Sequence, residues 1–395
     1  MTERRCAICA SPAASGCSGC HSVFYCGKAH QKAHWKQHKP ACVPYKIAES
    51  AELGRHLLAI RNIKPGEVVL RNTPLVIGPK QFSDALCLGC LRPLEGSMHR
   101  CECGYPMCSP QCAASAAHRP ECEATRRSGR RLEVDISVSP NPHYQAVTVL
   151  RCLALRGTDA WRQLAELQAH EQERKLSGRH AELDDHALQF LHYLGVSVTP
   201  QEVYQICGVL DVNGFEGPQH RAVGLYPRAA LLEHNCSPNT TRTFEDDRTL
   251  VLRASVLIPK GSHITTSYAD PLWGTDNRRY FLRQTKYFDC ACRRCADPTE
   301  CGAELSSLRC PDCSEGVVRC TAPLEPGAPW RCSECPRQLS AAEVVQIIQH
   351  IGERLVNIEK GSVAAAETFI LDFSTVLTPT HFYMCDVKVR LRVVS

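Results

Sequence analysis

Twenty-six of the 395 residues are cysteine, and most of them fall into four clusters with the spacing of zinc ligands. The chain opens with Cys6-x2-Cys9, Cys17-x2-Cys20, Cys26-x3-His30 and His38-x3-Cys42. A second array runs from Cys87 to Cys122, a third reads Cys290-x-Cys292-x2-Cys295, and a fourth pairs Cys310-x2-Cys313 with Cys332-x2-Cys335. Zinc takes four thiolate or imidazole ligands at tetrahedral angles, and a two-residue spacer lets one tight turn supply two of them. A disulfide framework is the rival account of so many cysteines, and it needs an oxidising compartment. The N-terminus MTERRCAICA has no apolar signal segment, and no apolar run is long enough to cross a membrane. The expectation is an intracellular chain with reduced thiols that hold structural zinc.

Hydrophobic residues at 44% and charged residues at 22% describe a globular chain, with room for two or three compact units. A net charge of +5 does not by itself call for nucleic acid. Lys28, Lys32, Lys36 and Lys39 in the first cluster, and Arg126, Arg127, Arg130 and Arg131 later, read as solvated faces. Residues 6–42 are too few to bury a core, so metal must fold them. Within them Gly27–His38 should be helical, which places His30, His34 and His38 on one face. His30 then joins the early pair, His38 the late pair, and His34 is a surface residue. Residues 53–77 read as two or three short strands around the turn KPGE. Helical patterns occupy 143–210, including one helix over DAWRQLAELQAHEQER. Strands return over 221–268 with a hairpin turn at Glu245-Asp246-Asp247, and amphipathic helices follow at 341–359 and 364–376. The final HFYMCDVKVRLRVVS carries apolar residues that lack an obvious partner.

Several segments together resemble the SMYD family of SET-and-MYND protein lysine methyltransferases, in its arthropod-type SmydA branch with an additional N-terminal MYND finger. YCGKAHQKAHWKQHKPAC resembles the second half of a MYND finger, with His30 where the family usually has Cys. CLGCLRPLEGSMHRCECGYPMCSPQCAASAAHRPEC resembles a second finger. It departs in having Cys101-x-Cys103 and in lacking the aromatic residue before His118. GLYPRAALLEHNCSPNT, GSHITTSYAD and YFDCACRRC resemble the SET core and post-SET motifs. The resemblance implies an α+β fold of small β-sheets. Its parts are an N-terminal MYND finger (1–45), a first SET segment (50–86), the inserted second finger (87–122), a helical insertion (123–210), the SET core (211–270), a post-SET module (271–300), a four-cysteine zinc module (301–340) and a helical C-terminal region (341–395). That last region resembles the opening of the family's TPR-like array, shortened and partly unpacked.

MYND fingers cross-brace two zincs. By resemblance, Cys6, Cys9, Cys26 and His30 hold one ion, and Cys17, Cys20, His38 and Cys42 another. In the second finger the sets are Cys87, Cys90, Cys108 and Cys112, then Cys101, Cys103, His118 and Cys122. The post-SET ion takes Cys236 with Cys290, Cys292 and Cys295. With Cys310, Cys313, Cys332 and Cys335 this makes about six structural zincs by the four-ligand rule. Cys152, Cys207, Cys301, Cys320 and Cys385 remain, and are expected to be buried small hydrophobes.

The family moves a methyl group from S-adenosylmethionine to a lysine amine, so the resemblance implies this cofactor and a protein substrate with a target lysine. The amine must be deprotonated, although its free pKa is about 10.4. Tyrosine hydroxyls in a narrow apolar channel disfavour the ammonium and aim the lone pair. By resemblance Tyr268 is the catalytic tyrosine, Tyr287 lines the lysine channel and contacts the cofactor, and Phe288 packs on the adenine. Gly54, Arg55, Glu233 and His234 complete the cofactor contacts. Two departures stand out. The family's GRG loop is here Gly54-Arg55-His56, and its NHSC motif is Glu233-His234-Asn235-Cys236. A carboxylate beside the cofactor carboxylate costs roughly 1–4 kcal/mol near 4 Å, so weakened or rearranged binding is expected. Two readings follow. One is a protein-lysine N-methyltransferase acting on histone or non-histone lysine. The other is a weakly active SET/MYND scaffold whose fingers hold proline-rich peptides in co-repressor complexes. Nuclear and cytoplasmic residence is expected of either. No membrane association and no sequence-specific DNA binding is expected, since MYND fingers lack a base-reading helix.

Overall fold

A computed structural model describes residues 4–20, 23–39, 42–94, 96, 98–178, 181–217, 221–359 and 362–394, with side chains to 391. The chain divides into two units. One comprises Met1–Glu233 with Asn239–Ile264, the other His234–Pro238 with Thr265–Ser395.

In the first unit the strands begin earlier than the sequence pattern suggests. Tyr45–Ser50 pairs antiparallel with Gly54–Ala59, from Tyr45 opposite Ala59 to Ser50 opposite Gly54. Val68–Asn72, Leu250–Ala254 and Thr240–Phe244 form a second antiparallel sheet. Its hairpin turn falls where Glu245-Asp246-Asp247 predicts it. Asp247 accepts the Thr249 N–H at 2.9 Å, and Arg248 takes a positive φ of 67°. Val76–Pro79, Ala222–Leu225 and Gly214–Glu216 make a third sheet. Alternation along these strands turns Leu57, Leu70, Leu250 and Leu252 into one buried cluster with Ile63, Tyr226 and Ile264.

Between residues 147 and 213 this unit has the helices Val147–Leu153, Asp159–Ala165, Glu171–Ser177, Ala181–Tyr193 and Pro200–Asn213. Thr199 and Glu202 form a capping box that starts the last of them. The single helix expected over 159–174 is two, broken where His170 takes a positive φ of 49°. A tertiary contact overrides propensity here. Asn213 Nδ2 donates to the Gln168 carbonyl at 2.7 Å, an acceptor that an unbroken helix would have used.

The second unit carries the helix Thr275–Lys286, ended by Tyr287 in the left-handed conformation. It also carries an antiparallel four-stranded sheet of Leu308–Arg309, Val317–Cys320, Trp330–Cys332 and Gln338–Leu339. Helices Ala341–Val356, Val363–Phe373 and Phe382–Val394 follow, the first opened by a Ser340–Glu343 capping box. The apolar residues of the tail do find a partner. Met384 and Val387 share one core with Leu308, Val318 and Trp330 of the sheet and with Ile351, Leu355 and Phe369 of the other two helices. Among the described residues no helix is long and apolar enough to cross a membrane.

Candidate functional site

The cysteines meet as ligands and not as disulfides. Zinc–sulfur bonds of about 2.3 Å at tetrahedral angles put ligand sulfurs about 3.8 Å apart, whereas a disulfide needs about 2.05 Å. Cys9 and Cys26 lie 3.6 Å apart, Cys17 and Cys42 3.6 Å, Cys90 and Cys108 3.7 Å, Cys101 and Cys122 3.7 Å. Cys236 lies 3.9 Å from Cys290 and 3.5 Å from Cys295, and the Cys310–Cys335 and Cys313–Cys332 pairs stand at 3.6 and 3.7 Å. At least five of the expected sets gather all four ligand atoms within 4.8 Å of one another. In the remaining set the Cys108 N–H donates to Cys87 Sγ at 3.4 Å, and the Cys112 thiol also lies against Cys87. Gly19 and Gly316 make room for this convergence, since a Cβ would lie 2.6 Å from Cys42 Sγ and 2.2 Å from Cys332 Sγ respectively. Backbone N–H groups also favour the thiolates that a metal needs. Burial opposes the charge on Cys6, but the backbone at Cys9, Cys26 and Ile8, with His30, brings it down to about 5. Burial likewise opposes it on Cys87, where the backbone at Cys108, Cys90 and Gly89 prevails at about 7.

In the first finger His30 turns Nδ1 to Cys26 Sγ at 3.1 Å, while His38 turns Nε2 to Cys20 Sγ at 3.3 Å. The helix Lys28–His38 thus gives one histidine to each set, as its face predicts. His34 is no ligand, but it is more than a surface residue. It is half-buried, with Nδ1 3.0 Å from the hydroxyl of buried Tyr25. Of the five leftover cysteines, Cys152 and Cys207 are buried, and Cys320 and Cys385 partly so. Cys301 corrects the expectation. It is exposed in a tight turn with φ at 60° and has no core to fill.

Two polar networks around the metal sets escaped the sequence reading. In the cysteine array at 87–122, His118 Nε2 faces Cys103 Sγ at 3.4 Å, and its Nδ1 lies 3.0 Å from Glu121 Oε1. A carboxylate accepts only, so Nδ1 carries the proton and Nε2 is left to a metal. Burial alone would lower the His118 pKa, but Glu121 outweighs it and raises it. Arg151 closes the network, with Nε 3.1 Å from Glu121 Oε2 and donations to the carbonyls of Ile77 and Leu88, each at 2.8 Å. In the second unit the fully buried Arg278 guanidinium lies 3.9 Å from Cys295 Sγ and 3.0 Å from Glu300. Arg294 donates to the Cys236 carbonyl at 3.0 Å. Four thiolates around one zinc leave a net negative charge, which these cations offset.

The residues expected at the cofactor and the reacting amine fall into one cluster per unit. In the second unit the Tyr268 N–H donates to His234 Nδ1 at 3.0 Å. The proton of this neutral ring is therefore on Nε2, which faces Cys236 Sγ at 3.2 Å. The His234 ring stands 5.3 Å from the Tyr268 ring and 5.9 Å from Phe288, which is 36% exposed. Tyr287, with φ at 60°, turns out of the helix end beside Phe288. In the first unit Gly54 opens its strand with φ at 60°. The Arg55 guanidinium is engaged by Glu166, with Nη1 3.0 Å from Oε2 and Nη2 2.7 Å from the backbone carbonyl. His56 is buried, its Nδ1 donating to the Gly54 carbonyl at 3.0 Å. Glu233 is held by His263, a residue that the sequence reading left aside.

Residues 6–42 match the MYND finger, and residues 54–269 match the SET domain, which is more than half of the chain. The chain belongs to the SET-and-MYND family. The Drosophila melanogaster SET domain-containing protein SmydA-8, isoform A, is 33% identical over 318 residues, which cover 76% of this chain and 67% of that protein. The Arabidopsis thaliana histone-lysine N-methyltransferase ASHR1 is 27% identical over 334 residues, covering 76% and 66% respectively. Mouse histone-lysine N-methyltransferase SMYD3 is 27% identical over 265 residues, covering 62% and 60%. The MYND match covers the sulfur sets of residues 6–42, and the SET match covers His234, Cys236 and Tyr268.

Proposed function

We propose that the chain is an S-adenosylmethionine-dependent protein-lysine N-methyltransferase. The observation that carries the reading is the link between His234, Tyr268 and Cys236. Within a SET domain, one imidazole accepts the Tyr268 N–H at 3.0 Å and points its other nitrogen at Cys236, 3.2 Å away. The tyrosine is thereby fixed by its backbone, and its ring is set against His234.

S-adenosylmethionine, when bound, supplies an electrophilic methyl group on a sulfonium, with a good leaving group. The chain's own residues do the rest. Their work is orientation and removal of water, because an in-line displacement needs an aimed, deprotonated amine and no metal. The Tyr268 and Tyr287 rings disfavour the ammonium form of the incoming lysine, and the Tyr268 hydroxyl directs its lone pair. Phe288, with an exposed face beside His234, suits an adenine ring. His234 supplies the second aromatic surface of that cluster. The cofactor's carboxylate would meet Glu233 less harshly than sequence alone implies, since His263 already engages that side chain. The zincs are structural.

The finer reading is that the target lysine lies on a histone or another protein in the nucleus or cytoplasm. The MYND fingers bring proline-rich partners and co-repressor complexes to it. What speaks for a weakly active scaffold instead is the pair of departures at His56 and Glu233. Calorimetric titration with S-adenosylmethionine, followed by transfer of labelled methyl to mixed histones and to a lysate, separates the two. Binding with lysine labelling is expected. Absence of both would overturn the enzyme reading and leave peptide binding by the fingers as the function.

A further inference from the structure

His56 and Glu233, two positions where this chain departs from the family's cofactor motifs, are joined by a third residue. His263 Nδ1 lies 2.5 Å from Glu233 Oε1. An ionised carboxylate only accepts, so this nitrogen carries a proton whether the ring is neutral or charged. The His263 ring also lies flat on His56, with centroids 5.0 Å apart and planes 8° apart. His56 itself is 4% exposed and donates from Nδ1 to the Gly54 carbonyl, so its ring is anchored on both sides. The His263 backbone is fixed as well. It bridges Leu58 in antiparallel pairing, and its carbonyl accepts Asn239 Nδ2 at 2.8 Å. The Glu233 side chain is 15% exposed and that of His263 47%, so the acid is the better shielded partner.

We infer that His263 is a positioning residue that sets cofactor affinity, by making Glu233 and His56 compatible with bound S-adenosylmethionine. This rests on the methyltransferase reading. Its hydrogen bond offsets the charge of Glu233, which would otherwise oppose the cofactor's carboxylate. It also aims the second carboxylate oxygen, a good acceptor for the cofactor's ammonium. Its flat face keeps the His56 imidazole folded back on its own strand, so the side chain that replaces glycine does not project from the loop. The three residues act as one substitution for the family's glycine and asparagine.

The test is calorimetric titration of S-adenosylmethionine into the full-length wild type, His263→Ala, Glu233→Gln and the double variant. His263→Ala should weaken binding roughly tenfold, because it leaves a bare carboxylate beside the cofactor. The double variant should return to within about threefold of wild type, because no carboxylate remains to oppose. His263→Gln, whose amide still donates to Glu233, should stay near wild type and serves if the alanine variant does not fold. Wild-type affinity in His263→Ala would overturn the inference. So would an equal loss with and without Glu233, which is what a merely structural role predicts. Absence of binding by the wild type would instead overturn the methyltransferase reading itself.

Discussion

Tyr268 is positioned through its backbone, and in the proposed methyltransferase its hydroxyl would act on the amine, so the two contributions can be separated. Tyr268→Phe keeps the N–H bond to His234 Nδ1 and the ring contact at 5.3 Å. It should lower turnover roughly a hundredfold or more, with cofactor affinity near wild type. Single-turnover rates and calorimetry check this, and an undiminished rate would remove Tyr268 from the chemistry. A second residue sets a pH dependence. His381 is fully buried, its Nδ1 accepts the Tyr383 N–H at 3.2 Å, and its Nε2 finds no partner among the described residues. Burial pushes its pKa down to about 3. The unfolded chain would titrate near 6.5, so between these values it binds a proton that the folded chain refuses. The stabilising contribution is complete above pH 6.5 and is lost as pH falls towards 3. His381→Asn keeps an acceptor and cannot titrate. Between pH 7 and 4.5 the wild type should lose about 2 kcal/mol more than this variant in urea unfolding. Equal losses would show that His381 takes up its proton while folded.

The finger at residues 6–42 and the cysteine array at 87–122 are different elements despite their similar ligands. The first has a buried cluster of little more than Cys6, Cys17, Cys20 and Tyr25. A chelator should therefore unfold it while the rest of the first unit persists, and hydrogen exchange would localise the loss to residues 4–42. The array at 87–122 belongs to the large core that also contains Tyr144, Val147 and Leu150, and Arg151 ties its Glu121 to that core. Glu121→Gln should weaken zinc at this set by about 10- to 100-fold in chelator competition, because His118 and Arg151 then share one neutral amide acceptor in place of a carboxylate. Glu121→Ala should be more destabilising than Glu121→Ala with Arg151→Met, because the single change leaves a buried cation without its counter-charge. The reverse order would show that Arg151 does not depend on Glu121.

Across the whole molecule, native mass spectrometry of the reduced protein should find about six zincs by the four-ligand rule. Two or fewer would sink the ligand assignment. Most of these sets were legible because ligand spacing is local, and a two-residue spacer looks the same on any fold. Cys236 was not, since it lies 54 residues before Cys290 and needed the family motif to place it. His263 was invisible for the same reason, an isolated histidine 30 residues beyond the Glu233 that it holds. The break at His170 and the core shared by the sheet at 308–339 and the C-terminal helices depend on long-range contacts, which periodicity does not encode.

The separation between Cys236 and its fellow ligands carries a consequence for biosynthesis. Cys290 and Cys295 follow it by 54 and 59 residues, and the chain between them crosses into the first unit over 239–264 before it returns. The ion therefore closes a long loop, whose entropic cost grows only slowly with length but must be met all at once. Tyr268 lies inside that loop, and His234 stands two residues before it. A ribosome that has not yet passed residue 295 holds a chain in which His234 and Tyr268 can already meet, but the metal set beside them is still short of Cys295. Metal capture at this set can be completed only after residue 295 has emerged.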